Sequence, residues 1–519
     1  MTMKRWLSLG VSALLLTGLL TGCGETQPKE EDSRPEGKSL MAVELDQTAE
    51  TYAGTQITLS DTAITVDGAA IAKDENAAVY AANDIVYYES GKDFTYGEGE
   101  EKDAHTKEEA DAHTVVHITQ PGQYVLSGKL SKGQIAVDLG EEAEQDPHAV
   151  VTLVLNGLDI TCEVAPAVIF YNVYECGQKE EATATKDVDT SKAGARVILA
   201  NNSDNRVNGS YVARIYKPGT VELSDDGTEV TDAKKLHKYD AAFYSKMSME
   251  IQGGNKGNGN GKLSIKAANE GLDSELHLTI NGGDIAIESG NDGINTNEDN
   301  ISVTTVNGGR LVITVNGATG EGDGIDSNGW LVINGGMVLA QACGFSGDAG
   351  IDSDKGIHIN GGIVVATGNM LDRIENGGQT HAVFTCRQSR KNSAIQLKNA
   401  QGDVVVSHTV VNAYTCLVVS SPSLTPGDYA LWDGAEQLKG TATQGGMGFG
   451  GAPGELGGER PEGMEPPEGF GGQRPERPEG LPEGATPPSR PGEGAQSVDD
   501  STASHVFTIV TGANYFQIV

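Results

Sequence analysis

Gly324-Ile325-Asp326-Ser327-Asn328-Gly329-Trp330-Leu331-Val332-Ile333-Asn334-Gly335-Gly336-Met337-Val338-Leu339-Ala340 is one copy of a pattern that recurs along the middle of the chain. The Asn-Gly-Gly triplet returns at Asn281, Asn307, Asn334 and Asn360, at intervals of 26, 27 and 26 residues. A Gly-aliphatic-Asp/Asn-Ser/Thr tetrad precedes each: Gly271-Leu272-Asp273-Ser274, Gly293-Ile294-Asn295-Thr296, Gly324-Ile325-Asp326-Ser327 and Gly350-Ile351-Asp352-Ser353. A fixed period in the twenties marks a solenoid, in which one coil cannot bury its apolar face alone.

Aliphatic residues alternate ahead of three triplets (Leu278 and Ile280, Leu331 and Ile333, Ile357 and Ile359). They alternate again behind all four: Ile285 and Ile287, Leu311 and Ile313, Val338 and Ala340, Val364 and Ala366. A period of two means strands with one face turned in. Asn-Gly-Gly between two strands also suits a hairpin. The constant offset of the aliphatics from the triplet favours stacked coils instead. A third short strand falls on the tetrad, with Leu272, Ile294, Ile325 or Ile351 inward. Three strands per coil of about 26 residues describe an all-β parallel β-helix. One coil departs from the pattern: alternation slips over 301–306, and four extra residues, 297–300, precede it, which reads as a bulge or insertion.

Stacked coils would set the triplet asparagines in an amide ladder at a bend, with glycine supplying positive φ at the corner. From the tetrad's Asp or Asn to the triplet is 8 residues in three coils and 12 in the second. The return distances of 14, 19 and 18 put the loop variation on the other side, where binding surfaces tend to lie.

The same stacking predicts an outward file of Asp273, Asn295, Asp326 and Asp352. Two residues ahead of each inward aliphatic stand Glu270, Asp292 and Asp323, with Asp348 beside Ala349 in the fourth coil. Carboxylates about 5 Å apart repel by roughly 3.5 kcal/mol at an effective dielectric near 20. Either a cation sits among them or some stay protonated. Oxygen-only donors without His or Cys select a hard cation, and Ca2+ tolerates irregular cages best. Asp354, Asn269 and Asn291 are close enough in sequence to contribute. The competing reading is that Asp-Gly and Asn-Gly are ordinary turn residues.

The chain has 519 residues and a formal charge of −36, from 73 acidic and 37 basic residues. That balance argues against nucleic acid and for divalent cations. Residues 1–22 read as a lipoprotein signal peptide: Lys4 and Arg5, an apolar run, then Thr21-Gly22-Cys23, with Cys23 acylated after cleavage. Residues 23–50 read as a flexible tether from that membrane anchor, which implies an extracytoplasmic protein. The β-helix domain is expected over 51–443, with strand-like runs at 56–66 and 84–88. In the charged insert at 97–114, His105 and His113 could form a metal site, although a solvated loop is favoured. Residues 444–497, rich in Gly, Pro and Glu, read as a disordered insert. Residues 498–519 return to a strand pattern, expected to rejoin the domain near Tyr429-Trp432. Cys343, Cys386 and Cys416 read as buried small hydrophobes, and a Cys162–Cys176 disulfide is one open possibility.

Over 118–368 the chain carries Gly128-Lys129-Leu130, Gly133-Gln134-Ile135, Leu155-Asn156-Gly157-Leu158 and the repeats above. It resembles the bacterial surface carbohydrate-binding proteins built on a polysaccharide-lyase-like right-handed β-helix, and the likeness takes in the terminal segment from Phe507. The resemblance implies binding of polysaccharide (cellulose, or acidic pectin-type glycans) and calcium on the helix. Carried over by position, the metal candidates are the tetrad acids and their neighbours; Asn295 departs from the acidic form. Two other functions stay open. A calcium-dependent lyase would need a base for the proton α to a uronate carboxylate, with Lys266, Arg310, Lys355 and Arg373 the candidates. The chain could instead be a structural or adhesive surface protein. Trp330 is expected to face outward beside the acidic file as a sugar-stacking platform, or else to lie packed under a loop.

Overall fold

Strands that precede the triplets pair with one another and not with the strands that follow, so no triplet closes a hairpin. The computed structural model describes residues 37–443 and 500–519. Cys23, the leader, the first part of the tether and the 444–497 insert lie outside the described residues. The chain is all-β, with a single α-helical turn among the described residues, Lys107–Asp111.

Three files of parallel strands carry the repeats. In the first, Met249–Gly253, His277–Ile280, Val303–Val306, Trp330–Ile333 and Gly356–Ile359 pair in sequence order. In the second, Lys262–Ala267, Asp284–Ser289, Arg310–Val315, Met337–Gln341 and Ile363–Gly368 do the same. The third is a separate sheet running through Val168–Phe170, Ala241–Ser245, Glu270–Ser274, Ile294–Thr296 and Ile325–Ser327. Every alternating aliphatic named above falls in one buried core cluster. Each such Leu or Ile contributes about 1.5–3 kcal/mol by leaving water.

The coil with the slipped alternation keeps its register: Val303 to Val306 stand opposite His277 to Ile280 without a bulge. Thr304 takes the inward place of Leu278 and Leu331. Its hydroxyl is satisfied at 3.1 Å by Thr296, which in turn meets Ser327 at 2.8 Å. The insertion at 297–300 stands; the bulge does not.

The triplet chemistry is visible at the bend. Asn307 Nδ2 donates to Asn281 Oδ1 at 2.8 Å, Asn334 to Asn307 at 2.9 Å and Asn360 to Asn334 at 2.8 Å. The second glycine of each triplet has positive φ, from 76° at Gly336 to 99° at Gly283. The first is needed for a different reason: a Cβ on Gly335 would lie 2.5 Å from the Asn307 carbonyl oxygen of the coil below. Upstream, Ile251 pairs with Ile280, which sets Gln252 opposite Asn281 as a worn copy of the triplet.

Several expectations need correction. Residues 84–88 form no strand. The segment read as a tether is held down over its second half: Leu40 N donates to the Val404 carbonyl and Asn202 Nδ2 to the Gln47 carbonyl. His113 is buried rather than in a solvated loop, its Nδ1 at 2.8 Å from the Glu109 carbonyl. Cys386 is only half-buried, and Cys162 and Cys176 are free thiols, as are the other described cysteines.

Past Gly368 the mode of pairing changes. Tyr414–Ser420 lies antiparallel on Ile363–Gly368, and Ser393–Asn399, Val404–Val410 and Gly427–Asp433 build an antiparallel sheet. A second core forms beneath it, taking Met337, Leu339, Ile363 and Val365 from the outer faces of the last two coils. The C-terminal segment does return to Tyr429, which pairs with Phe507.

Candidate functional site

The tetrad strands set Tyr244, Asp273, Asn295 and Asp326 opposite one another on successive coils. Asp352 continues the file, its N–H bonded to the Ile325 carbonyl at 2.7 Å. The leading glycine of the tetrad permits this approach: a Cβ on Gly293 would stand 2.5 Å from the Gly324 carbonyl oxygen. A single exposed column was expected. The structure divides these residues into three groups, and several are buried.

The innermost group is Glu270, Asp273 and Asn295, with exposures of 6%, 0% and 7%. Asn295 Nδ2 donates to Glu270 Oε1 at 3.2 Å and to Asn297 Oδ1 at 3.1 Å, while Asn297 Nδ2 donates to Asp273 Oδ1 at 2.8 Å. This network leaves Glu270 Oε2, Asp273 Oδ2 and Asn295 Oδ1 buried without a donor. Burial, then the neighbouring charges of Asp240 and Asp292, drive the Glu270 pKa far up. Burial, then Glu270 and Glu275, do the same to Asp273.

Asp292, Asp323 and Asp348 form a second group that binds the backbone of an adjacent coil, the next one for Asp292 and Asp323 and the preceding one for Asp348. Asp292 Oδ1 accepts from Asp323 N at 2.6 Å, Asp323 Oδ1 from Ala349 N at 2.5 Å, and Asp348 Oδ2 from Gly322 N at 2.6 Å. Each thus spends one oxygen on holding coils together. Asp292 and Asp323 are nevertheless raised well above the usual range, first by burial and then by neighbouring acids.

The third group is more open. Asp326 and Asp352 are half-buried and Asp354 is exposed. Burial, then the charge of Asp354, raises Asp326 to about 6. Burial, then Asp372 and Asp326, raises Asp352 to about 7. Asp354 is raised too, first by desolvation beside its neighbours and then by the charge of Asp299.

Sequence reasoning missed Asn297, which bridges the inner group. It also missed Asp240, whose carboxylate receives Arg214 Nη2 at 3.0 Å at the N-terminal end of the file. The available signal was register: Ala241 pairs with Glu270, so Asp240 stands opposite Asn269. Asn269 Nδ2 does donate to the Asp240 carbonyl, at 2.9 Å.

Among the described residues, no three His, Cys, Asp or Glu side chains form a ready cage. The inner group is instead a mixed set of two carboxyls and an amide oxygen. Trp330 begins its strand half-buried, opposite Val303 and Gly356. Of the candidate bases, Lys266 pairs with Glu288 at 3.1 Å, Arg310 with Asp284 at 2.9 Å and Arg373 with Glu375 at 2.7 Å. Lys355 stands where its charge partly offsets the rise at Asp354.

A family model described as "carbohydrate-binding domain-containing protein" matches residues 112–425. A protein of the same description from Acetivibrio thermocellus is 28% identical over 176 residues, covering 34% of this chain and 45% of that one. The chain therefore spans about half the length of this curated relative. Among solved structures, a polysaccharide lyase-like protein from C. thermocellum, studied as a gadolinium derivative, aligns at 20% identity and a TM-score of 0.33. The alignment covers 60% of this chain and 93% of that one.

Proposed function

We propose that this chain, which belongs to the family of carbohydrate-binding domain-containing proteins, is a polysaccharide-binding module. The observation that carries the reading is the family match over 112–425, which takes in every coil bearing a tetrad acid. We read the three parallel files as a right-handed parallel β-helix, since each strand pairs with its equivalent one repeat away. Cellulose and acidic pectin-type glycans are the substrate classes.

The inner acids suit a hard cation. Three buried oxygens lack a donor, and an unpaired buried acceptor costs about 1–3 kcal/mol. Glu270, Asp273 and Asn295 would hold Ca2+ in this reading; Asp292, Asp323, Asp326, Asp348, Asp352 and Asp354 would line the rest of the file. Bound calcium would supply the positive charge that lets these groups ionise. Trp330, at the start of the neighbouring strand, would offer an apolar face to sugar C–H groups. Cleavage is the weaker reading, because three of the four candidate bases, Lys266, Arg310 and Arg373, are held in ion pairs. With Cys23 acylated, the module would work outside the cell, tied to its membrane.

Pull-down on insoluble cellulose and pectate, with and without chelator, tests the reading. Retention that weakens on chelation and falls roughly tenfold in Trp330→Ala supports it. Full retention in chelator removes calcium from the account, and no retention on any glycan removes the function. Unsaturated uronate accumulating from pectate would turn the reading to a lyase.

A further inference from the structure

Where the acidic file begins, the third sheet carries a tyrosine instead of an acid. Tyr244 stands opposite Asp273 in register, and its hydroxyl donates to Glu275 Oε1 at 2.6 Å. Immediately past the strands, the backbone of Lys246 bonds back to Phe170, that of Glu275 to Ser245 and that of Glu298 to Glu275. The corner positions of successive coils therefore form the floor of a cleft of about 470 Å3. That volume lies in the range of ligand-binding clefts, about 300–1,000 Å3.

The wall comes from the long excursion of an earlier coil. His237 stacks on Tyr239 with centroids 4.3 Å apart and planes at 15°. Tyr239 in turn meets the edges of Tyr244 at 5.4 Å and Tyr171 at 5.5 Å. Leu236, 53% exposed, stands on the same rim. Such an aromatic and apolar wall matches the C–H face of a pyranose ring.

The charge is unusual for this molecule. In a chain with 73 acidic and 37 basic residues, Lys179, Lys235, Lys238 and Lys246 all line this one cleft. Glu144 accepts from both Lys179 and Lys246, at 3.1 and 3.2 Å, and Lys235 pairs with Glu98 at 2.6 Å. Glu275 and Glu298 also line the cleft. Lys238 has no ion pair within 4.0 Å among the described residues, although its charge reaches Glu275 and Asp240.

We propose that this cleft is a glycan subsite that holds an acidic sugar residue of the uronate class, its ring against the Tyr239 cluster and its carboxylate toward Lys238. The proposal rests on the polysaccharide-binding reading and adds to it a place and a charge preference. Neutral glucans would find the wall but not the charge.

Titration of the full chain with oligogalacturonate, at low and high salt, tests the subsite, with Lys107→Ala as a surface-lysine control. Lys238→Gln should weaken binding about tenfold and flatten its salt dependence. Tyr239→Ala should weaken it by a similar factor, and Tyr239→Phe should restore it. Circular dichroism checks that each variant keeps its strands. If Lys238→Gln and folded Tyr239→Ala both bind as the parent does, the subsite is overturned while the polysaccharide reading stands. If the parent binds neither oligogalacturonate nor a cello-oligosaccharide, the polysaccharide reading itself fails and takes the subsite with it.

Discussion

The asparagine ladder and the acidic file are built by the same operation, with opposite outcomes. In both, register brings like side chains together on successive coils. An amide carries donor and acceptor at once, so Asn307, Asn334 and Asn360 satisfy one another at 2.8–2.9 Å, even though all three sit at the surface. An ionised carboxylate carries acceptors alone. Stacked Glu270, Asp273 and their neighbours therefore borrow donors from Asn295, Asn297 and the next coil's backbone, and still leave buried oxygens unpaired. Stacking in register is self-sufficient for an amide and incomplete for an acid. What completes the acidic file is a proton or a cation.

The largest expected effect breaks the scaffold shared by both. Gly335→Ala drives a Cβ to 2.5 Å from the Asn307 carbonyl, so the coils must separate at the bend. A loss of more than about 3 kcal/mol, read by denaturant unfolding, is the expected outcome; a loss below about 1 kcal/mol would show that the bend can widen freely.

Next comes the coupled response to pH and calcium. An acid whose folded pKa is raised holds its proton more tightly in the folded state. Its stabilising contribution is full below 3.8, the ordinary value for an aspartate, and is lost as pH rises through about 6 for Asp326 and about 7 for Asp352. Metal-free protein should therefore unfold at a lower temperature at pH 8 than at pH 5. Ca2+ at about 100 times its dissociation constant should return about 2.7 kcal/mol at pH 8 and less at pH 5, where protons compete. An unfolding temperature indifferent to both variables would deny that the file is incomplete.

Asp273→Asn sharpens the contrast by making one acid into an amide. It should raise metal-free stability at pH 8 by about 1 kcal/mol and reduce the gain from calcium. A variant less stable than its parent, with the calcium response intact, would mean that Asp273 is held charged by protein donors alone.

The smallest effect is expected in the ladder. Asn334→Ala removes two amide bonds at an exposed position, so a loss of only about 0.5 kcal/mol is anticipated from thermal melts. A loss as large as that of Gly335→Ala would mean that the amides, and not the glycines, hold the bend.

Much of this comparison was legible in the chain, because coils one period apart are neighbours. The offset of Ile280, Ile333 and Ile359 from their triplets was enough to foresee parallel pairing, and Asn281 to Asn360 foretold the ladder. What escaped was set by longer-range contacts. Thr304 looked like a slipped strand because period-two reading expects an aliphatic where a buried hydroxyl pair can substitute. The acids were expected at the surface because nothing local revealed that Asn297 would bond among them or that Asp240, paired with Arg214, would stand beside Glu270. The second core went unforeseen for the same reason: Met337, Leu339, Ile363 and Val365 stand on the face that the period-two pattern leaves outward. They are covered by a sheet that begins at Ser393, too far along the chain for a periodic pattern to reveal.

The terminal strands carry a consequence of their own. Ordered stacks of parallel strands offer raw hydrogen-bonding edges to any further strand, their own kind included. Here Tyr414–Ser420 runs against Ile363–Gly368 at one extremity, while Thr65–Val66 and Val79–Ala82 run against Thr55–Leu59 and Thr114–Ile118 at the other. Reversed direction at these edges presents an incoming strand with the wrong polarity there. Neighbouring copies should therefore resist joining end on in register through these edges.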